Sequence, residues 1–118
     1  MSDAQDKIVD KLIAFGFEKD EASIYTYLLE SPNKSIHQIS KELGIGRNIV
    51  YRLAQKLEEK NLVKFYDYSA GQKLRALPYQ NIQDILTKKE EQLSLLKNIT
   101  PELFGNFAEL LTLSLIHI

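Results

Sequence analysis

The chain has no cysteine, a net charge of only −1 and just two histidines in 118 residues. Without cysteine there is no disulfide and no thiolate-bound metal, which fits a reducing compartment, so a cytoplasmic protein is expected. His37 and His117 lie far apart with no partners at ligand spacing, so neither a metal nor another cofactor is expected. Long apolar runs are also missing. The longest, residues 110–118, is interrupted by Thr112, Ser114 and His117 and falls far short of the ~20 residues a spanning helix needs, so no membrane partner is expected. The N-terminal MSDAQDKIVDKL is charged and has no signal-peptide core. There is no internal repeat and no low-complexity segment. What remains, 44% hydrophobic and 26% charged residues, is the composition of one small globular domain, or one such domain with an appended element.

The near-zero net charge hides an uneven distribution. Residues 1–33 sum to −4, residues 34–76 to +5 and residues 77–118 to −2. A basic block inside a near-neutral chain is the footprint of a phosphate-binding element.

Apolar spacings of three and four predict a helix over residues 7–15, through Ile8, Val9, Leu12, Ile13 and Phe15, stopped by Gly16. A second is predicted over residues 19–30, with Ala22, Ile24, Tyr25, Leu28 and Leu29 as its apolar set and Ser31-Pro32-Asn33 as its breaker. Ser35 is a fitting N-cap for a short helix over residues 36–43, buried through Ile36, Ile39 and Leu43, and Gln38 stands at capping-box spacing. After the turn Gly44-Ile45-Gly46, a fourth helix runs to about residue 60, buried through Ile49 or Val50, then Leu53, Ala54 and Leu57. Asn61 is a plausible left-handed terminator. The period then shortens to that of strands over residues 62–66 and 72–77, with residues 67–71 as the hairpin loop and Pro78 as the stop. From about Asn81 a long helix resumes, with Ile82, Ile85, Leu86, Leu93, Leu96 and Ile99 on a heptad-like seam into which Lys89 intrudes. Thr100-Pro101 is expected to end it and start a last segment over residues 102–113, with Gly105 as a weak point.

The informative unit is residues 35–77: helix, tight turn, helix, hairpin. The expected fold is mainly α with a small β-hairpin wing, a winged helix-turn-helix over residues 1–78, followed by a C-terminal dimerisation segment over residues 79–118. The second helix of such a motif reads the major groove. Its exposed polar residues are Arg47, Asn48, Tyr51, Arg52, Gln55 and Lys56, of which Arg47, Asn48, Tyr51 and Gln55 share the face opposite the buried stripe. Arginine suits guanine, and asparagine or glutamine suits adenine. Tyr51 either touches DNA or packs on a neighbouring element. Ser35 and Gln38 at the start of the motif, and Lys64, Lys73 and Arg75 on the wing with Tyr66 and Tyr68, complete the expected DNA-binding set. The seam Ile82, Ile85, Leu86, Leu93 and Leu96 is the expected homodimer contact.

Other chemistries lack support. Gly44-Ile45-Gly46 has no third glycine and no preceding strand, so a turn is expected rather than a phosphate loop. Glu58/Glu59 and Glu90/Glu91 are adjacent on helices and diverge by about 100°, so neither pair converges as an acid and base. No catalytic constellation is evident, and a double-stranded DNA-binding regulator is expected rather than an enzyme. The alternative is a winged-helix module whose basic face binds protein.

FGFEKDEASIYTYLLE, SIHQISKELGIGRNIVYRLAQKLEEKNLVKF and KLRALPYQNI resemble the N-terminal domain of the TrmB-like archaeal and bacterial transcriptional regulators, over roughly residues 11–96. The most specific piece is GRNIVYRLAQKLEEKNLV. The family usually has glycine where this chain has Asn61. The resemblance implies a winged helix-turn-helix and dimerisation through the helix after the wing. Some members carry a C-terminal sugar-sensing domain; 118 residues leave no room for a full one, so sugar sensing is not expected of this chain, and the effector is open.

Overall fold

A computed structural model describes residues 3–69 and 71–116, with the side chain of residue 116 excepted. The chain divides into two compact units between Ile82 and Gln83.

The first unit holds four helices and a hairpin: α1 (Asp3–Ala14), α2 (Lys19–Glu30), α3 (Ile36–Leu43), α4 (Arg47–Glu59), β1 (Val63–Tyr68) and β2 (Gly71–Ala76), then a 3-10 turn at Tyr79–Asn81. α2 is central, touching α1, α3, α4 and β2. A helix with neighbours on so many sides is buried nearly all round, and seven of its residues are sealed, among them Glu21, Ser23 and Thr26. The Thr26 hydroxyl meets its hydrogen-bonding need inside the helix by donating to the Ala22 carbonyl at 2.8 Å.

Local signals act where they stand. The Ser35 hydroxyl accepts from the Gln38 N–H at 3.1 Å and the Gln38 carboxamide oxygen accepts from the Ser35 N–H at 2.9 Å, closing the capping box of α3. Gly44 ends α3 in the left-handed region at φ 66°, and Asn61 does the same after α4 at φ 61°. In α4 the choice between Ile49 and Val50 falls on Val50, which is sealed with Leu53, Ala54 and Leu57, while Ile49 is exposed. Several apolar residues expected inside are not. Ile8, Ile13 and Leu29 are exposed, and Ile36 and Leu43 are only half-buried, because each helix spans more face than the small core covers. Phe17, in the turn after α1, is buried instead.

The hairpin is longer and its loop tighter than the sequence suggests. Asp67 and Tyr68 belong to β1, and Tyr68 pairs with Gly71, whose φ of 114° suits glycine at the turn. Ala70, within the expected loop, lies outside the described residues, as do His117 and the C-terminal Ile118. Lys34 bonds Leu74 through both backbone groups, at 3.2 and 2.8 Å, so β2 is flanked on both edges.

The second unit is one helix, α5 (Ile82–Ile116), continuous through Pro101 and Gly105 where a break was expected. Proline removes one intrahelical bond there and disfavours helix at the preceding residue. Yet the apolar seam stays in phase across it, from Leu93 and Leu96 to Leu103, Phe107 and Leu110, and the Thr100 hydroxyl donates to the Leu96 carbonyl at 2.7 Å. Along this seam Leu93 is 54% exposed and Leu96 51%, and Leu103, Phe107 and Leu110 are exposed as well.

Candidate nucleic-acid interface

The turn that presents α4 is set by short-range bonds. The Ser40 hydroxyl donates to the Ile45 carbonyl, holding Gly44-Ile45-Gly46 against the end of α3. Gly46 caps α4 without a side-chain hydrogen bond, and no acidic residue stands in the first turn. The positive end of the α4 dipole is therefore not neutralised locally. With Val50, Leu53, Ala54 and Leu57 turned into the core, Arg47, Asn48, Tyr51, Arg52 and Gln55 are exposed and Lys56 is half-exposed.

These residues separate into two flanks with a free edge between them. On the wing side, Tyr51 meets Phe65 of β1, with ring centroids 6.1 Å apart and planes tilted by 54°. Tyr51 remains 48% exposed, so packing on the wing leaves half of it available. Tyr51, Gln55, Glu58, Phe65 and Gln72 line a shallow cleft between helix and hairpin. Glu58 is used there as an acceptor for the Phe65 N–H, at 3.4 Å.

On the other flank stands a group no sequence pattern indicated. The Glu18 carboxylate, in the turn before α2, accepts from Arg52 Nη1 at 3.0 Å and from Lys56 Nζ at 2.8 Å. These two cations, joined to it by hydrogen bonds and charge, hold the Glu18 carboxyl at about 2 instead of the usual 4.5. Glu18 in turn raises the affinity of Arg52 and Lys56 for their protons. One turn on, Lys60 Nζ lies 2.7 Å from the sealed Glu21 and 4.0 Å from the centroid of the Phe17 ring. Three of the nine basic residues of the central block are thus engaged by α2 and the turn before it. Among the described residues no ion pair engages Arg47, Lys64, Lys73 or Arg75.

Strand register places the wing residues together. Lys64 pairs with Arg75 and Tyr66 with Lys73, so these four and Tyr68 share one face of the hairpin, the one opposite Phe65 and the buried Val63 and Leu74. The cations lie over the rings: Lys64 is 5.5 Å and Arg75 5.0 Å from the Tyr66 centroid, and Lys73 is 6.0 Å from that of Tyr68. Arg75 is further fixed by donating to Asn33 Oδ1 at 2.9 Å and to the Tyr68 hydroxyl at 3.1 Å. Ser35 and Gln38 use their side-chain oxygens in the α3 cap. No group of three or more histidine or acidic side chains that could hold a metal is found among the described residues. No described helix is long and apolar enough to cross a membrane.

Residues 12–80 match the family described as Sugar-specific transcriptional regulator TrmB. Transcription factor E of Methanocaldococcus jannaschii is 30% identical over 108 residues, covering 79% of this chain and 62% of that protein, so the chain spans less than two thirds of this relative. TrmBL2, an archaeal chromatin protein, superposes with a TM-score of 0.67 at 21% identity, over 90% of this chain and 42% of that one. MepR of S. aureus, solved in complex with DNA, does so with a TM-score of 0.53 at 19% identity, over 81% of this chain and 86% of that one. At those identities the structural likenesses establish the winged-helix fold alone.

Proposed function

Because the chain belongs to the TrmB family of transcriptional regulators, and is thus a regulator rather than an enzyme, we propose that it binds double-stranded DNA sequence-specifically, as a homodimer. One observation carries this reading: α4 exposes Arg47, Asn48 and Gln55 along an edge whose N-terminal end bears no acidic residue, while its opposite face is locked into the core. Arg47, Asn48, Tyr51 and Gln55 read base edges in the major groove. Lys64, Lys73 and Arg75 contact phosphate, which positions the protein without reading sequence. MepR, a structural neighbour with the same fold, was itself solved in complex with DNA.

The dimer reading rests on α5. Its apolar seam is exposed in the single chain, and a helix with so much uncovered apolar surface is most simply covered by a second copy. A two-fold dimer sets two reading helices about 34 Å apart, one duplex turn, and makes the operator a pseudo-palindrome.

Selection of bound sequences from random duplex, followed by titration with salt, tests the proposal. A palindromic motif is expected. If the dimer neutralises ~6–10 phosphates, affinity falls by ~10³–10⁵ between about 50 and 200 mM salt. A flat salt response, or no enriched motif, favours instead a winged-helix module that binds protein.

A further inference from the structure

Of the acidic contacts made to α4, those of Glu18 and Glu21 differ in kind. Glu21 is sealed from solvent, 2.7 Å from the mostly covered Lys60 and 3.9 Å from Lys56, so it acts as a fixed strut between α2 and α4, and Lys56 lies closer to Glu18, at 2.8 Å, than to this strut. Glu18 is open: its side chain is 45% exposed, and those of Arg52 and Lys56 are 55% and 38% exposed. Exposed pairs of this type are weak and screened by salt, so they exchange readily.

The geometry is that of a phosphate contact. Arg52 turns both terminal nitrogens to the Glu18 carboxylate, at 3.0 and 3.5 Å, the forked approach a guanidinium also makes to phosphate. Lys56, one helical turn on, adds a third donor at 2.8 Å. We propose that Glu18 is an internal competitor for DNA phosphate: in the free protein it occupies Arg52 and Lys56, and a duplex must displace it before those two cations can serve. This rests on the duplex-binding reading above and adds a residue to it. Glu18 sets how strongly the α4 flank holds any duplex, whatever its sequence, because phosphate contacts carry no base information. Glu21 and Lys60 keep the helix in place while that exchange occurs.

The test uses random-sequence duplex and four proteins: wild type, Glu18→Gln, the double variant Arg52→Gln with Lys56→Gln, and the triple variant combining all three. Thermal melts of each confirm folding. At about 50 mM salt Glu18→Gln is expected to bind about three- to tenfold more tightly than wild type, the gain shrinking as salt rises. In the background lacking both cations the same substitution should give no gain. Equal gains in both backgrounds would mean that Glu18 acts only through overall charge, and overturn the proposal. Weaker or unchanged binding by Glu18→Gln would also overturn it, since Glu18 would then be orienting Arg52 and Lys56 for DNA rather than withholding them. If wild type itself binds no duplex, the function reading fails and this inference with it; if wild type binds and only the expected gain is missing, the inference fails alone.

Discussion

Leu53, Leu57 and Leu74 in the unit ending at Ile82 are sealed from solvent, whereas Leu110 and Leu111 of α5 are each 65% exposed. Both regions are rich in the same side chains. In the first, helices and a hairpin cross one another, so each apolar stripe has a facing stripe and a core closes. In the second, one helix of 35 residues carries a stripe along its length with no second element of its own unit to face it. A leucine-rich sequence thus makes a core only where the topology folds it back on itself. Where it does not, the same leucines stay exposed. The first unit closes a core of its own, and α5 leaves its apolar stripe exposed.

The strongest way to break this comparison is to place charge on the α5 seam. Leu93→Asp combined with Leu96→Asp removes four leucines from a dimer. At ~1.5–3 kcal/mol per fully buried leucine, and with only about half of each still exposed in the single chain, the lost burial weakens association by roughly 3–6 kcal/mol. Sedimentation should show monomers at micromolar concentration, with the thermal transition of the first unit retained and DNA affinity reduced. A variant that still sediments as a dimer would move the contact elsewhere.

A paired truncation sharpens the contrast. Leu57→Ala should lower the unfolding free energy of the first unit by ~2–5 kcal/mol in a denaturant titration, because its sealed site cannot collapse fully. Leu110→Ala, already exposed in the single chain, should leave that transition where it is and show its cost only in the concentration dependence of assembly.

Within the first unit the division is between shape and recognition. Arg47→Ala should cost ~1–3 kcal/mol on the selected duplex and relax one base position, whereas Lys64→Ala or Lys73→Ala should weaken all sequences alike. An unchanged selected motif for Arg47→Ala would place the reading face elsewhere.

The smallest effect concerns the Glu18 pairs. The Glu18 carboxyl is held at about 2, below its unperturbed 4.5, so whatever stability its pairs contribute is fully present above the unfolded value and is lost as pH falls through about 2. A carbon-detected NMR titration of that carboxyl should accordingly show no midpoint near 4.5. A midpoint there would mean that Arg52 and Lys56 stand apart from it in solution.

Sequence alone determined the parts of this protein that are governed by spacing within a few residues. The bounds of α2 and α3, the Ser35–Gln38 box, the left-handed Asn61 and the Leu53, Ala54, Leu57 stripe of α4 all follow from periodicity and backbone bonding over three or four positions. So did the cluster of exposed polar residues on α4, since a stripe that is buried fixes the face that is not. Only the tertiary structure decided the rest. Glu18 reaches Arg52 and Lys56 across 34 and 38 positions, Arg75 reaches Asn33 across 42, and Tyr51 finds Phe65 on another element. It also decided that Glu21 is sealed against Lys60 and that Val50 rather than Ile49 enters the core. Local chemistry sets the elements because helix and turn bonds close over short loops. Which charges neutralise one another depends on how those elements cross, and that is a property of the packed chain, not of any window along it.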